Sequence, residues 1–150
     1  RKAAAKTPEQ IAKEERTKAA RLEQEKIRRE KLRQDRILLD TFSNEDEMVM
    51  TRNGKIEAIE AVIRVTRGRS ENIRQRLAKF KQQAANLERA GKPVPDTLKT
   101  EIRESHQQMA HNERYIKSRR KQQQRIREQF ARDIERFRKL KTAEASIDAE

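Results

Sequence analysis

From Val49 to Leu87 the chain repeats at steps of three and four residues without a break. Val49, Ile56, Ile63, Ser70, Leu77 and Ala84 hold one set of heptad positions, and Arg52, Ile59, Thr66, Ile73, Phe80 and Leu87 hold the other. A strand would alternate with period two, so this spacing specifies a long helix with one narrow apolar stripe. The pattern resumes downstream through Leu98, Ile102, Met109, Ile116, Ile126, Phe130, Phe137 and Leu140, interrupted by Ser105, Asn112, Arg119, Gln123 and Asp133. A 3.5-residue repeat held this long implies a left-handed supercoil of two helices.

Between the two stripes lies Gly91-Lys92-Pro93-Val94-Pro95. Gly91 suits a left-handed helix cap, and the two prolines cannot continue a helix. The connection is too short for a parallel return, so the helices must run antiparallel. Upstream, Thr7-Pro8 is a helix start, and Ser43 followed by Glu45, Asp46 and Glu47 is another, with its acids in the first turn. Gly54 and Gly68 are read as weak points inside a helix, at about 1 kcal/mol each. The expected organisation is a charged helical linker over 1–42, an antiparallel coiled-coil hairpin over 43–141 with helices at about 44–90 and 96–141, and a frayed tail over 142–150. The fold class is all-α: an elongated antiparallel coiled-coil helical hairpin preceded by a long charged helix.

Two registers fit the loop. One opposes Ile73 to Ile116, Phe80 to Met109, Thr66 to Gln123 and Ser70 to Arg119. The other sets Arg119 against Ile63 and Gln123 against Ile59. A polar group facing apolar partners is costly, so the first register is expected. In the upstream helix Ile11, Leu22, Ile27 and Leu32 form no stripe, and Glu9–Lys13, Glu14–Lys18 and Glu25–Arg29 are spaced for i,i+4 pairing. Ile37, Leu38, Leu39 and Phe42 form an apolar knot expected to dock near Val49, Phe137 and Leu140.

The stripe matters because the rest of the composition resists folding. Charged residues make up 42% of the chain and the formal net charge is +13, a balance that leaves a chain disordered unless its few apolar residues are concentrated. No apolar run approaches the ~20 residues of a membrane span. Without cysteine there is no disulfide, thiolate zinc site or thiol nucleophile. His106 and His111 sit about 140° apart around a helix and share no metal easily. No P-loop, dinucleotide-binding glycine motif, HExxH or Ser–His–acid set is present. One Tyr, four Phe and no Trp leave little for base stacking. The expectation is a protein that is not an enzyme and carries no cofactor. Opening at Arg1 without a signal peptide, the chain reads as an excised fragment or processed product.

The remaining chemistry is cationic. Residues 64–76 carry Arg64, Arg67, Arg69, Arg74 and Arg76 against Glu71 alone. Residues 114–127 carry Arg114, Lys117, Arg119, Arg120, Lys121, Arg125 and Arg127 with no acid. In the expected register both runs coincide halfway along the hairpin. They form a candidate anion-binding surface for lipid headgroups, nucleic acid or an acidic protein, unless they are simply a solvated helical face. The polar layers in the stripe either set register and oligomeric state or join such a site.

Arg36-Ile37-Leu38-Leu39-Asp40-Thr41-Phe42-Ser43-Asn44-Glu45-Asp46-Glu47, the Arg52…Ile56…Ile59…Ile63…Thr66-Arg67 run, the Glu88-to-Pro95 turn and the closing Phe130…Asp133…Phe137-Arg138…Leu140 together resemble a group of uncharacterised proteobacterial envelope proteins. Such proteins usually carry a signal peptide and a short β-rich domain, followed by a charged helical linker and a helical hairpin. The resemblance covers about residues 36–141; this chain matches the helical part and has a more basic hairpin. It implies a periplasmic address. The expected role is a spacer or partner-binding module of the bacterial envelope, working through helix packing, self-association or its basic middle. The alternatives are a phosphate-contacting nucleic-acid-binding module and an accessory subunit of an enzyme complex.

Overall fold

A computed structural model of the chain describes residues 4–149. It contains α1 (Pro8–Thr41), α2 (Glu45–Arg89) and α3 (Asp96–Ala149), and no strand among the described residues. The all-α class holds, and α2 and α3 pack as a helical hairpin. Arg1 to Ala3 and Glu150, the ends of the expected linker and tail, lie outside the described residues.

Local signals explain the helix ends. The Thr7 hydroxyl accepts from the Gln10 N–H at 3.2 Å, and the Gln10 side chain accepts from the Thr7 N–H at 3.0 Å, a reciprocal capping box with Pro8 in the first turn. At α2 the cap is Asn44 rather than Ser43. Asn44 Oδ1 accepts from the Glu47 N–H at 2.9 Å, while the Glu47 carboxylate accepts from the Ser43 N–H at 2.8 Å. Asn and Ser cap about equally well, and the carboxylate at Glu47 favours the later start by satisfying Ser43. The C-terminus of α2 closes through Gly91 at φ 70°, with Lys92 N–H bonded to the Leu87 carbonyl (2.9 Å) and Gly91 N–H to that of Glu88 (3.1 Å). This is a Schellman motif, and it needs the left-handed backbone that glycine adopts without strain.

α3 runs to Ala149, past the end expected at Lys141. Ala143, Ala145 and Ala149 are strong helix formers. Thr142 donates its hydroxyl to the Arg138 carbonyl at 2.9 Å, and Lys141 lies 3.5 Å from Glu144.

The chain divides into two compact units, one of them Met48–Arg132 and the other the residues up to Glu47 together with those from Asp133 onward. In Met48–Arg132 every heptad position of both helices is buried or half-buried. Ile59, Ile63, Thr66, Ile73 and Leu77 of α2 and Leu98, Gln123 and Phe130 of α3 are buried, as is Met48, which lies beside the stripe. Each large apolar side chain removed from water here stabilises the unit by about 1.5–3 kcal/mol. The helices run antiparallel. Leu87 and Leu98 share a surface groove, as do Ile73 and Gln108, while Glu60 pairs with Arg120 and Lys55 lies 5.6 Å from the Phe130 ring centre.

These contacts correct the expected register. Gln123 does not face Thr66. Its amide donates to the Ile56 carbonyl at 3.2 Å and to Glu60 at 3.0 Å, so Gln123 lies at the level of Ile59. The penalty that argued against this register is avoided. Gln123 is fully buried yet has partners for both ends of its amide, since its oxygen accepts from Arg120 at 2.9 Å. Arg119 leaves the seam along its own helix, donating to the Tyr115 hydroxyl at 3.0 Å and to Gln122 at 2.7 Å.

In the other unit α1 has no buried residue, and Ile11, Leu22, Ile27 and Leu32 are exposed. Glu25 pairs with both Arg28 and Arg29, and Glu30 with Arg33. Glu14 pairs with Lys6 instead of Lys18, and Glu9–Lys13 is not among the ion pairs of the described residues. Two bidentate pairs tie α3 to the rest of this unit. Arg136 donates to Asp35 at 2.9 and 2.8 Å, and Arg138 to Glu45 at 2.8 and 3.0 Å. Phe137 between them is buried. Of the apolar knot, Leu38, Leu39 and Phe42 are half-buried, while Ile37 remains 49% exposed and drops out of it.

Candidate functional site

An antiparallel hairpin has two flanks, and in Met48–Arg132 they differ. On one flank Arg120 donates through both terminal nitrogens to the Glu60 carboxylate, and Gln123 donates to the same group from below. The hydrogen bonds from Gln123 and then Arg120 hold the Glu60 carboxyl below its ordinary range, with the charge of Arg67 adding to the effect. This flank is closed by its own ion pair. Arg64 is likewise paired with Glu57, and Arg74 with Glu71.

The opposite flank carries an open groove of about 450 Å³ lined by Ala61, Val62, Val65, Thr66, Arg69, His111, Asn112 and Tyr115. Val62 is 40% exposed and Val65 56%. The Arg119 guanidinium lies 5.0 Å from the Tyr115 ring centre, a cation–π contact that brings a second positive charge to the rim. No carboxylate lines this groove.

The twelve cations singled out in the sequence therefore separate. Arg64, Arg74 and Arg120 are neutralised by carboxylates, and Arg119 is held by Tyr115 and Gln122. Arg67, Arg69, Arg76, Arg114, Lys117, Lys121, Arg125 and Arg127 are exposed and make no ion pair among the described residues. In the observed register the run 64–76 lies opposite about 106–118, so the two basic runs overlap only at one end. They do not form the single basic middle expected. Arg114, Lys117, Lys121 and Arg125 instead make a stripe on the outer face of α3, within about 80° around the helix and about 16 Å along it.

Sequence reasoning missed Glu60, Val62, Val65 and Tyr115. All lie off the heptad seam, and a correct register would have set Glu60 beside Arg120 on one flank and Val62 and Val65 beside Tyr115 on the other. Among the described residues no cluster of three or more His, Cys, Asp or Glu could hold a metal, and no helix is long and apolar enough to cross a membrane. The fold and this surface define a helical-hairpin protein with the Glu60–Arg120 ion pair on one flank and an open, basic and partly apolar groove on the other. No protein-family model, curated protein or solved structure matches the chain.

Proposed function

We propose that the chain is a non-enzymatic interaction module, a coiled-coil hairpin that recognises a protein partner through a long helical face. The observation that carries this reading is the asymmetry between the flanks. One side carries the Glu60–Arg120 ion pair with Gln123 bonded to the same carboxylate, whereas the other leaves Arg69 beside exposed Val62 and Val65 with no carboxylate in the groove. Val62 and Val65 stand three residues apart on one helix face and line one groove with Ala61, so they form a joint apolar patch beside Arg69. The resemblance of residues 36–141 to envelope proteins supports a place in the bacterial envelope, with a periplasmic address.

The test is photo-cross-linking of the purified full chain in envelope extract, with a benzophenone residue placed in turn at exposed positions of Met48–Arg132. A saturable protein adduct, competed by unlabelled chain, is the expected result. Adducts no stronger than those of an unrelated protein of equal net charge would overturn the reading. The α3 stripe Arg114, Lys117, Lys121 and Arg125 favours a second reading, phosphate contact with nucleic acid. That reading requires affinity for any duplex, with a log–log salt slope of about −0.9 per phosphate neutralised.

A further inference from the structure

Resting on the interaction-module reading, we infer that the groove between Val62 and Tyr115 is the docking site for an acidic amphipathic helix of a partner protein. Three features of the groove specify this occupant. Its floor is apolar and accessible, formed by Ala61, Val62 and Val65. Its rim is cationic, with Arg69 on α2 and the Arg119 guanidinium held over Tyr115 on α3. Its length fits a helix. The groove shares Arg69, His111 and Asn112 with a second groove that continues to Ile73, and the stretch from Ala61 to Ile73 covers about 18 Å, or roughly three helical turns.

The combination discriminates between classes of partner. A nucleic acid would use the cations and gain nothing from the valines. A lipid surface would meet the outer stripe of α3, where Arg114, Lys117, Lys121 and Arg125 stand without an apolar face to insert. A second copy of this chain would bring another +13 charge to a basic flank. An amphipathic helix lays its apolar side on Val62 and Val65 while its carboxylates reach Arg69 and Arg119, the helix-in-groove mode of recognition. Glu104, which lines only the continuing groove, is the first carboxylate it would meet and marks the end nearest Ile73 where acids are disfavoured.

The probe is a blocked 21-residue peptide with Leu at heptad a and d positions and Glu at e and g, compared with the same peptide carrying Lys for Glu. Its binding to the full chain is read by fluorescence anisotropy. The Glu peptide is expected to bind and the Lys peptide not to. Val62→Ser with Val65→Ser, and separately Arg69→Gln, should each weaken binding at least tenfold. Lys117→Gln with Lys121→Gln should change it less than twofold. Both valines are exposed, so circular dichroism of the double variant should match the parent. Failure of the Glu peptide to bind overturns the inference. So does equal weakening by the Lys117 and Lys121 changes, which would indicate charge-only binding, or a valine-dependent dimer in sedimentation, which would make a second copy the occupant. If photo-cross-linking captures a protein elsewhere on Met48–Arg132, the interaction module stands and this groove is not its site.

Discussion

Replacing Ser70 with alanine should stabilise the hairpin, against the usual sign for a substitution in a buried seam. The Ser70 hydroxyl oxygen is buried and has no hydrogen-bond partner among the described residues. Thr66, one turn earlier, is also buried but donates its hydroxyl to the Val62 carbonyl at 3.0 Å. A buried polar group without a partner costs about 1–3 kcal/mol. Alanine adds a few tenths through helix propensity, while the lost dispersion contacts of one oxygen subtract about 0.5 kcal/mol. The net gain is about 1–3 kcal/mol, which for a chain of this length raises Tm by roughly 3–9 °C. Urea unfolding followed by far-UV circular dichroism measures it, as a higher midpoint at constant slope. Thr66→Val is the control: it removes a hydroxyl that already has a partner and should stay within about 1 kcal/mol of the parent. A lower midpoint for Ser70→Ala, or the same shift for both variants, would refute the assignment of Ser70 as an unsatisfied group.

Gly54→Ala and Gly68→Ala should each stabilise by about 1 kcal/mol, because both glycines are helical and an added Cβ meets nothing within 4 Å; a loss of stability in the same urea assay would place either residue outside a helix. The register is checked by disulfide formation in a chain that has no native cysteine: Ile73→Cys with Met109→Cys should oxidise readily and Ile73→Cys with Ile116→Cys should not, and the reverse would restore the rejected register. The Asp35 carboxyl is held below its ordinary value by the hydrogen bonds from Arg136, with the Arg136 charge contributing after them. Its folded value being the lower one, it contributes stability above the unfolded value near ~4, and that contribution is lost as pH falls through the folded value. Asp35→Asn should therefore flatten the acid limb of the stability curve in that window, and an unchanged limb would show that the pair is not formed in solution.

The elements were legible because they depend on period and punctuation, which a single chain displays. Thr7-Pro8, Gly91 and the heptads from Val49 and Leu98 each act locally, and each helix starts or stops within about two residues of where they point, except where the alanines after Lys141 carry α3 onward. The register was not legible by the same route. Seam residues alone suggest that Gln123 and Arg119 must find partners opposite themselves. Gln123 is instead satisfied by a main-chain carbonyl and by Glu60, and Arg119 is long enough to leave the seam for Tyr115. Polar residues in a two-helix seam are never far from its edges, so their partners come from the flanking positions. That rule also decides where the surface is available. A register that places Glu60 beside Arg120 puts an internal ion pair on one flank, and by the same geometry brings Val62 and Arg69 beside Tyr115 on the other, where no carboxylate lines the groove. The side proposed to bind is thus the one left open when the buried glutamine is satisfied on the other: Gln123 bonds to the Ile56 carbonyl and to Glu60, and neither group lines the groove.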